Sequence, residues 1–114
     1  MALIMPTSSP HFVQALLESS ESSRAIERRL GAYAMGIVVA LRKGRVSIEQ
    51  ASDDLFNLDN LRLVRERHLD ARLSELLEWG MELEDVADLA ADGIAESLDA
   101  MTRLAEQVIA RAAA

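Results

Sequence analysis

Along most of the chain apolar residues return every three or four positions, which lays them on one side of an α-helix, and nowhere do they keep the two-residue period of a half-buried strand. The first such segment runs from about Pro10 to Ser20, with Phe12, Leu16 and Leu17 on one side and Ser9 before Pro10 as a start signal. The polar run Ser19 to Ser23 reads as a connection. A longer helix from about Arg24 to Lys43 follows, with Ile26, Leu30, Tyr33, Ile37 and Leu41 at helical spacing. Its later half is apolar nearly all round, which predicts the central helix of the fold. Gly31 and Gly36 lower helix propensity there, and close approach of a neighbouring helix is the expected compensation.

Local signals are clearest between Lys43 and Gln50. Basic residues fall in a last turn, Gly44 suits a left-handed stop, and Ser47 with Gln50 forms a capping box. The next helix is placed at about Ile48 to Phe56, with Ala51, Leu55 and Phe56 inward, followed by a turn at Asn57 to Asn60 in which Asp59 is a good cap. From about Asn60 to Met81 the apolar stripe changes sides, from Leu61 and Val64 to Leu69, Leu73, Leu76 and Leu77, so a bend or break is expected near His68. A short helix at Glu84 to Ala91, with Val86 and Leu89 inward, gives way at Asp92-Gly93 to a last helix from about Ile94 to Arg111. There Ile94, Leu98, Met101, Ala105 and Val108 follow a 4-3-4-3 spacing, a narrow stripe suited to packing along a partner helix in this chain or in another copy. The prediction is an all-α fold, a compact bundle of five or six helices, orthogonal or up-down. It forms one helical domain over residues 1–114, with residues 1–9 flexible.

Composition narrows the chemistry. With 114 residues and half of them apolar, the chain can bury a core of Leu, Ile, Val and Ala. Cysteine is absent, which excludes disulfides, thiolate zinc sites and thiol nucleophiles. The longest apolar run, Leu30 to Leu41, falls short of the roughly 20 residues of a membrane span. Met1 to Pro6 lacks the features of a secretory signal, so a cytoplasmic location is expected. Eleven arginines against one lysine, with abundant alanine, fit a GC-rich bacterial source.

Charge is strongly segregated: net +3 up to Arg45, net −10 from Val46 onward. Between Arg72 and Arg103 lie nine carboxylates and no basic residue. Glu75, Glu78, Glu82 and Asp85 are spaced three and four apart and would share one face of a continuous helix, which Asp88, Asp92, Glu96 and Asp99 would extend. Such a face repels nucleic acid and membranes and attracts basic proteins. Trp79, the only tryptophan, sits at its edge and reads as core or as an interface anchor. The candidate partner-binding set is therefore Glu75, Glu78, Trp79, Glu82, Asp85, Asp88 and Asp92. The same carboxylates also fit a face that is merely solvated.

Other chemistries find little support. The chain has no Glu-x-x-His pair of the kind that holds two metals in a helical bundle, and His11 and His68 read as structural or exposed. The serines lie in connections and near caps, where they serve the backbone. Gly44-Arg45 lacks the glycines and lysine of a phosphate loop. Arg62, Arg65, Arg67 and Arg72 are interleaved with Glu66 and Asp70, which indicates a surface ion-pair network rather than a nucleic-acid site. No enzyme activity, cofactor or metal is expected.

Two motifs in order, Gly44-Arg45-Val46-Ser47-Ile48-Glu49-Gln50-Ala51 leading to Leu55-Phe56, then Gly80-Met81-Glu82-Leu83-Glu84-Asp85-Val86 before a closing amphipathic helix, resemble a small bacterial helical family of unknown function. The resemblance covers about Gly36 to Ala110, and such proteins resemble immunity partners encoded beside bacterial toxins. It implies an antitoxin-like protein that binds and neutralises a basic toxin or effector, and it assigns no functional residue. The alternative is a homo-oligomeric adaptor, at its simplest a homodimer, joined through the last helix.

Overall fold

The computed structural model describes residues 10–89 and 91–114, and the flexibility expected of residues 1–9 lies outside them. Among the described residues there are seven helices and no strand: α1 (Pro10–Leu17), α2 (Ser23–Arg42), α3 (Ile48–Asp54), α4 (Leu58–Glu66), α5 (Ala71–Met81), α6 (Leu83–Leu89) and α7 (Ala91–Ala113). The all-α bundle is as expected. No described helix is long and apolar enough to cross a membrane.

The framework is α7 laid along α2 and α5, with α6 against α7 and with α1, α3 and α4 on its flanks. Leu98, Met101, Ala105 and Val108 of the 4-3-4-3 stripe are buried there, and Ile94 is partly so. The stripe's partners are therefore α2 and α5 of the same chain. Ile26, Leu30, Ala34 and Val38 of α2 and Leu73, Leu76 and Leu77 of α5 pack with the stripe, and the same core takes in Val13 and Leu17 of α1, Leu55 and Phe56 after α3, and Val64 of α4. The centre is shared, because α2 is not enclosed along its later half: Val39 is 43% exposed and Gly36 lies at the surface.

The two α2 glycines have different surroundings. A Cβ on Gly31 would stand 3.0 Å from Ile109 Cγ1, so α7 does approach closely there. A Cβ on Gly36 would meet nothing within 4 Å, so the close approach expected there is absent.

Helix ends follow local chemistry. Ser22 caps α2, and the Ser47–Gln50 capping box is formed on both sides. After α2, Gly44 at φ 67° closes a Schellman stop, with Arg45 N–H donating to Ala40 C=O at 2.8 Å. The break expected near His68 is a second stop of this kind. His68 takes φ 55°, and Leu69 N–H donates to Val64 C=O at 3.3 Å.

Two boundaries differ from expectation. Helix α4 starts at Leu58, capped by Asn57 rather than Asp59, because Asn57 Oδ1 accepts from Asn60 N–H at 3.0 Å while its Nδ2 donates to Ser52 C=O at 3.0 Å. Buried Asn60 then donates to Leu55 C=O at 3.1 Å, so the two asparagines hold the α3–α4 turn. Helix α7 starts at Ala91, so Asp92-Gly93 lies within its first turn instead of ending a helix. A Cβ on Gly93 would be 2.8 Å from Val86 Cγ1, so the glycine serves close packing on α6.

Candidate protein-binding groove

The acidic face is not one continuous helix surface. Helix α5 ends at Met81, Glu82 is its C-cap, and α6 begins at Leu83. The end of α5 is fixed from below, since a Cβ on Gly80 would stand 2.1 Å from Cγ of the Phe56 ring. Glu75, Glu78 and Glu82 thus stay with α5, whereas Asp85 rides on α6 and Asp92 on the first turn of α7. The Asp88 side chain lies outside the described residues, as does that of His11.

Several of these carboxylates have partners or positions that account for them. Arg65 of α4 reaches Glu78 at 2.9 Å, and Arg42 of α2 reaches Asp99 at 2.6 Å. The acidic stretch therefore is relieved by arginines, but they come from other helices. Asp85 and Asp92 sit in first turns, where the positive end of the helix dipole favours a carboxylate. Glu75 and Glu82 lack such ion pairs, although Glu82, whose C=O accepts from Val86 N–H at 3.0 Å, also stands at the start of α6. Both are exposed, and among the described residues neither has a basic group within 4.0 Å.

These two carboxylates belong to one groove. Leu61, Glu75, Glu78, Trp79, Met81 and Glu82 line a space of about 590 Å³ between α4 and α5. Trp79 is half-buried, packed on the core, so the readings of it as core and as anchor each describe part of its surface. Met81, 37% exposed, adds apolar surface to the groove.

At Leu61 the groove continues into a cleft of about 430 Å³ lined by Leu58, Leu61, Arg62, Arg65 and Glu66. Leu58 is 67% exposed. The charges around this cleft are matched: Arg62 lies 3.9 Å from Asp59 and 4.0 Å from Glu66, and Arg65 is taken by Glu78. On the far side Glu75 and Trp79 also face Arg103, Leu104 and Gln107 of α7 across a smaller recess of about 170 Å³.

Of the sequence-derived set, the groove brings together Glu75, Glu78, Trp79 and Glu82; Asp85 and Asp92 do not line it. Leu61 and Met81 are the additions in the groove, and Leu58 and Arg65 line the adjoining cleft. Only the Asn57 cap, which puts Leu58 and Leu61 one turn apart on α4, could have pointed to part of this.

The arginines of α4 and its flank act as an ion-pair network in part. Arg62 and Arg65 pair as described, and Arg72 lies 3.3 Å from buried Asp70, which Arg111 of α7 also approaches at 3.6 Å. Arg67 instead donates to the main chain, to C=O of Leu17 at 3.1 Å, Ser19 at 2.7 Å and Glu21 at 3.2 Å. None of these four arginines forms a free basic stripe of the kind that tracks a phosphate backbone.

Comparison with curated proteins and with solved structures finds no match. A family model described as protein of unknown function (DUF3969) matches residues 21–114, a span that takes in both the Gly44–Ala51 and the Gly80–Val86 motifs, and the chain belongs to that family.

Proposed function

We propose that this chain is a non-catalytic cytoplasmic binding protein of the immunity or antitoxin type, which captures a basic toxin or effector domain on α5 and keeps that partner's functional surface covered. The observation that carries the reading is the pair of exposed carboxylates, Glu75 and Glu82, with no basic group within 4.0 Å among the described residues, set around Trp79 and Met81 in one groove. An aromatic anchor rimmed by charge of one sign combines what gives affinity with what gives encounter rate and selectivity. The net charge of −7 adds long-range attraction for a basic protein.

The test is capture of the tagged protein from its host, followed by measurement of the purified complex and of the partner's activity within it. Glu75→Lys with Glu82→Lys should weaken the complex by about thirtyfold, the sum of two charge contacts of ~1 kcal/mol each, and leave the circular dichroism unchanged. Glu78 is a poorer choice, because a reversed charge there would oppose Arg65. Undiminished binding by the double variant at physiological salt sinks the assignment of the surface. A partner that stays active in the complex sinks the neutralising role. The adaptor reading has less support, since the α7 stripe on which it rested packs on α2 and α5.

A further inference from the structure

Resting on that partner-binding reading, we propose that the element received by the groove is a basic amphipathic α-helix of the partner, presenting two large apolar side chains about one turn apart with lysine or arginine beside them.

Three observations define this occupant. The first is the form of the surface. Extended peptides gain affinity by adding to an exposed sheet edge, and the described residues contain no strand to offer one. A strand laid on α4 and α5 would leave its own amides without protein partners, whereas a helix arrives with its backbone already satisfied. Helix-in-groove recognition also matches the two adjoining spaces, since residues three, four or seven apart on one helix face act as successive anchors.

The second observation is where apolar surface remains open. Leu58, 67% exposed, lines one space, half-buried Trp79 and exposed Met81 line the other, and the edge of buried Leu61 is common to both. One anchor fills the α4 cleft and the next lies against Trp79.

The third is which charges remain uncompensated. Around the α4 cleft every charged side chain is within 4.0 Å of an opposite charge, so that end selects for apolar bulk. Beside Trp79, Glu75 and Glu82 have none within 4.0 Å among the described residues, and Arg103 stands across a separate recess on the α7 side, so the groove side selects for a cation. The Arg65–Glu78 bridge divides the two and sets the register between apolar anchor and basic residue. An acidic amphipathic helix would place like charges against Glu75 and Glu82 and is rejected.

The test uses the full chain and tryptophan-free synthetic peptides of 18 residues: a leucine/lysine helix with one apolar face, the same composition scrambled to destroy that face, and a leucine/glutamate helix. Trp79 fluorescence is the readout. The leucine/lysine helix should shift Trp79 emission to the blue and saturate. Its affinity should fall about tenfold with Glu75→Gln plus Glu82→Gln, and about fivefold or more with Leu58→Ser, which touches an exposed residue and leaves folding intact.

Equal binding by the scrambled peptide would overturn the helical occupant while leaving a basic partner in place. Equal binding by the leucine/glutamate helix would overturn the cation requirement. Absence of any Trp79 response would overturn the groove as a helix receptor, and the host capture experiment would still judge the partner-binding reading by itself. A dimer of the free protein whose Trp79 emission is already blue and moves to the red with Leu58→Glu would overturn the proposal in favour of a second copy as occupant.

Discussion

Gly80 and Gly36 stand at opposite ends of one scale, the space left for a methyl group. At Gly80 an added Cβ would stand 2.1 Å from Cγ of Phe56, so Gly80→Ala forces the ring or α5 to move and should destabilise by about 1–3 kcal/mol. At Gly36 the space is open, and Gly36→Ala should stabilise by ~0.5–1 kcal/mol through helix propensity alone. Thermal melts of the two variants would move in opposite directions. At His68 the left-handed φ of 55° stores local strain, so His68→Gly should raise stability by up to about 1 kcal/mol. The proton affinity of Tyr33 is also readable as stability. Burial, followed by the nearby Asp54 charge, raises its pKa above the ordinary 10.0. The folded protein thus holds the phenol proton more tightly than the unfolded chain does. Stability should be level below pH 10 and decline as pH rises through the folded value, a decline that Tyr33→Phe abolishes in denaturant titrations. Sequence spacing identified Gly31 and Gly36 as alike, and only the position of α7 distinguishes them: periodicity tells which side of a helix is apolar, not which length of it another helix reaches.

Individual helices show where local chemistry decides and where it yields to packing. The Ser47–Gln50 box was legible because donor and acceptor are three residues apart in the same strip of chain. The start of α4 was not, since Asn57 and Asp59 are both good caps and the choice is made by buried Asn60 bonding to the end of α3. Similarly, Asp92-Gly93 resembles a helix stop in sequence, yet Gly93 is used for contact with Val86. The α7 stripe now carries a clear expectation: Leu98→Glu or Met101→Glu places a carboxylate between α7 and its neighbours and should cost about 3 kcal/mol or more. A lower melting midpoint is expected, where a self-assembling adaptor would show a change of size at unchanged stability. Arg67→Ala should cost ~1–3 kcal/mol by freeing three carbonyl groups between α1 and α2, and Arg67→Lys should not restore it, because one ammonium lacks the planar fork that spans them.

At the scale of the whole molecule, the acidic half of the chain is legible in sequence but its compensation is not. Arg42 and Arg65 are distant from Asp99 and Glu78 along the chain, and their arrival pairs two of the nine clustered carboxylates. The groove was half visible for the same reason: its acidic and aromatic wall belongs to one helix, while its apolar floor comes from α4. That division has a kinetic consequence. Gly44 and His68, the two left-handed reversals, bracket α3 and α4, which pack on the α2–α5–α7 framework less extensively than its members pack on one another. Residues 45–67 hold two short helices and contribute Leu55, Phe56 and Val64 to the core, and their smaller share of the packing is expected to let them open ahead of global unfolding. Amide hydrogen exchange should therefore be faster in α3 and α4 than in α2 and α7. Each such opening would displace Leu58 from the surface proposed to receive a partner helix, so on that proposal the residence time of the helix would depend on the opening rate of α3 and α4 as well as on its own contacts.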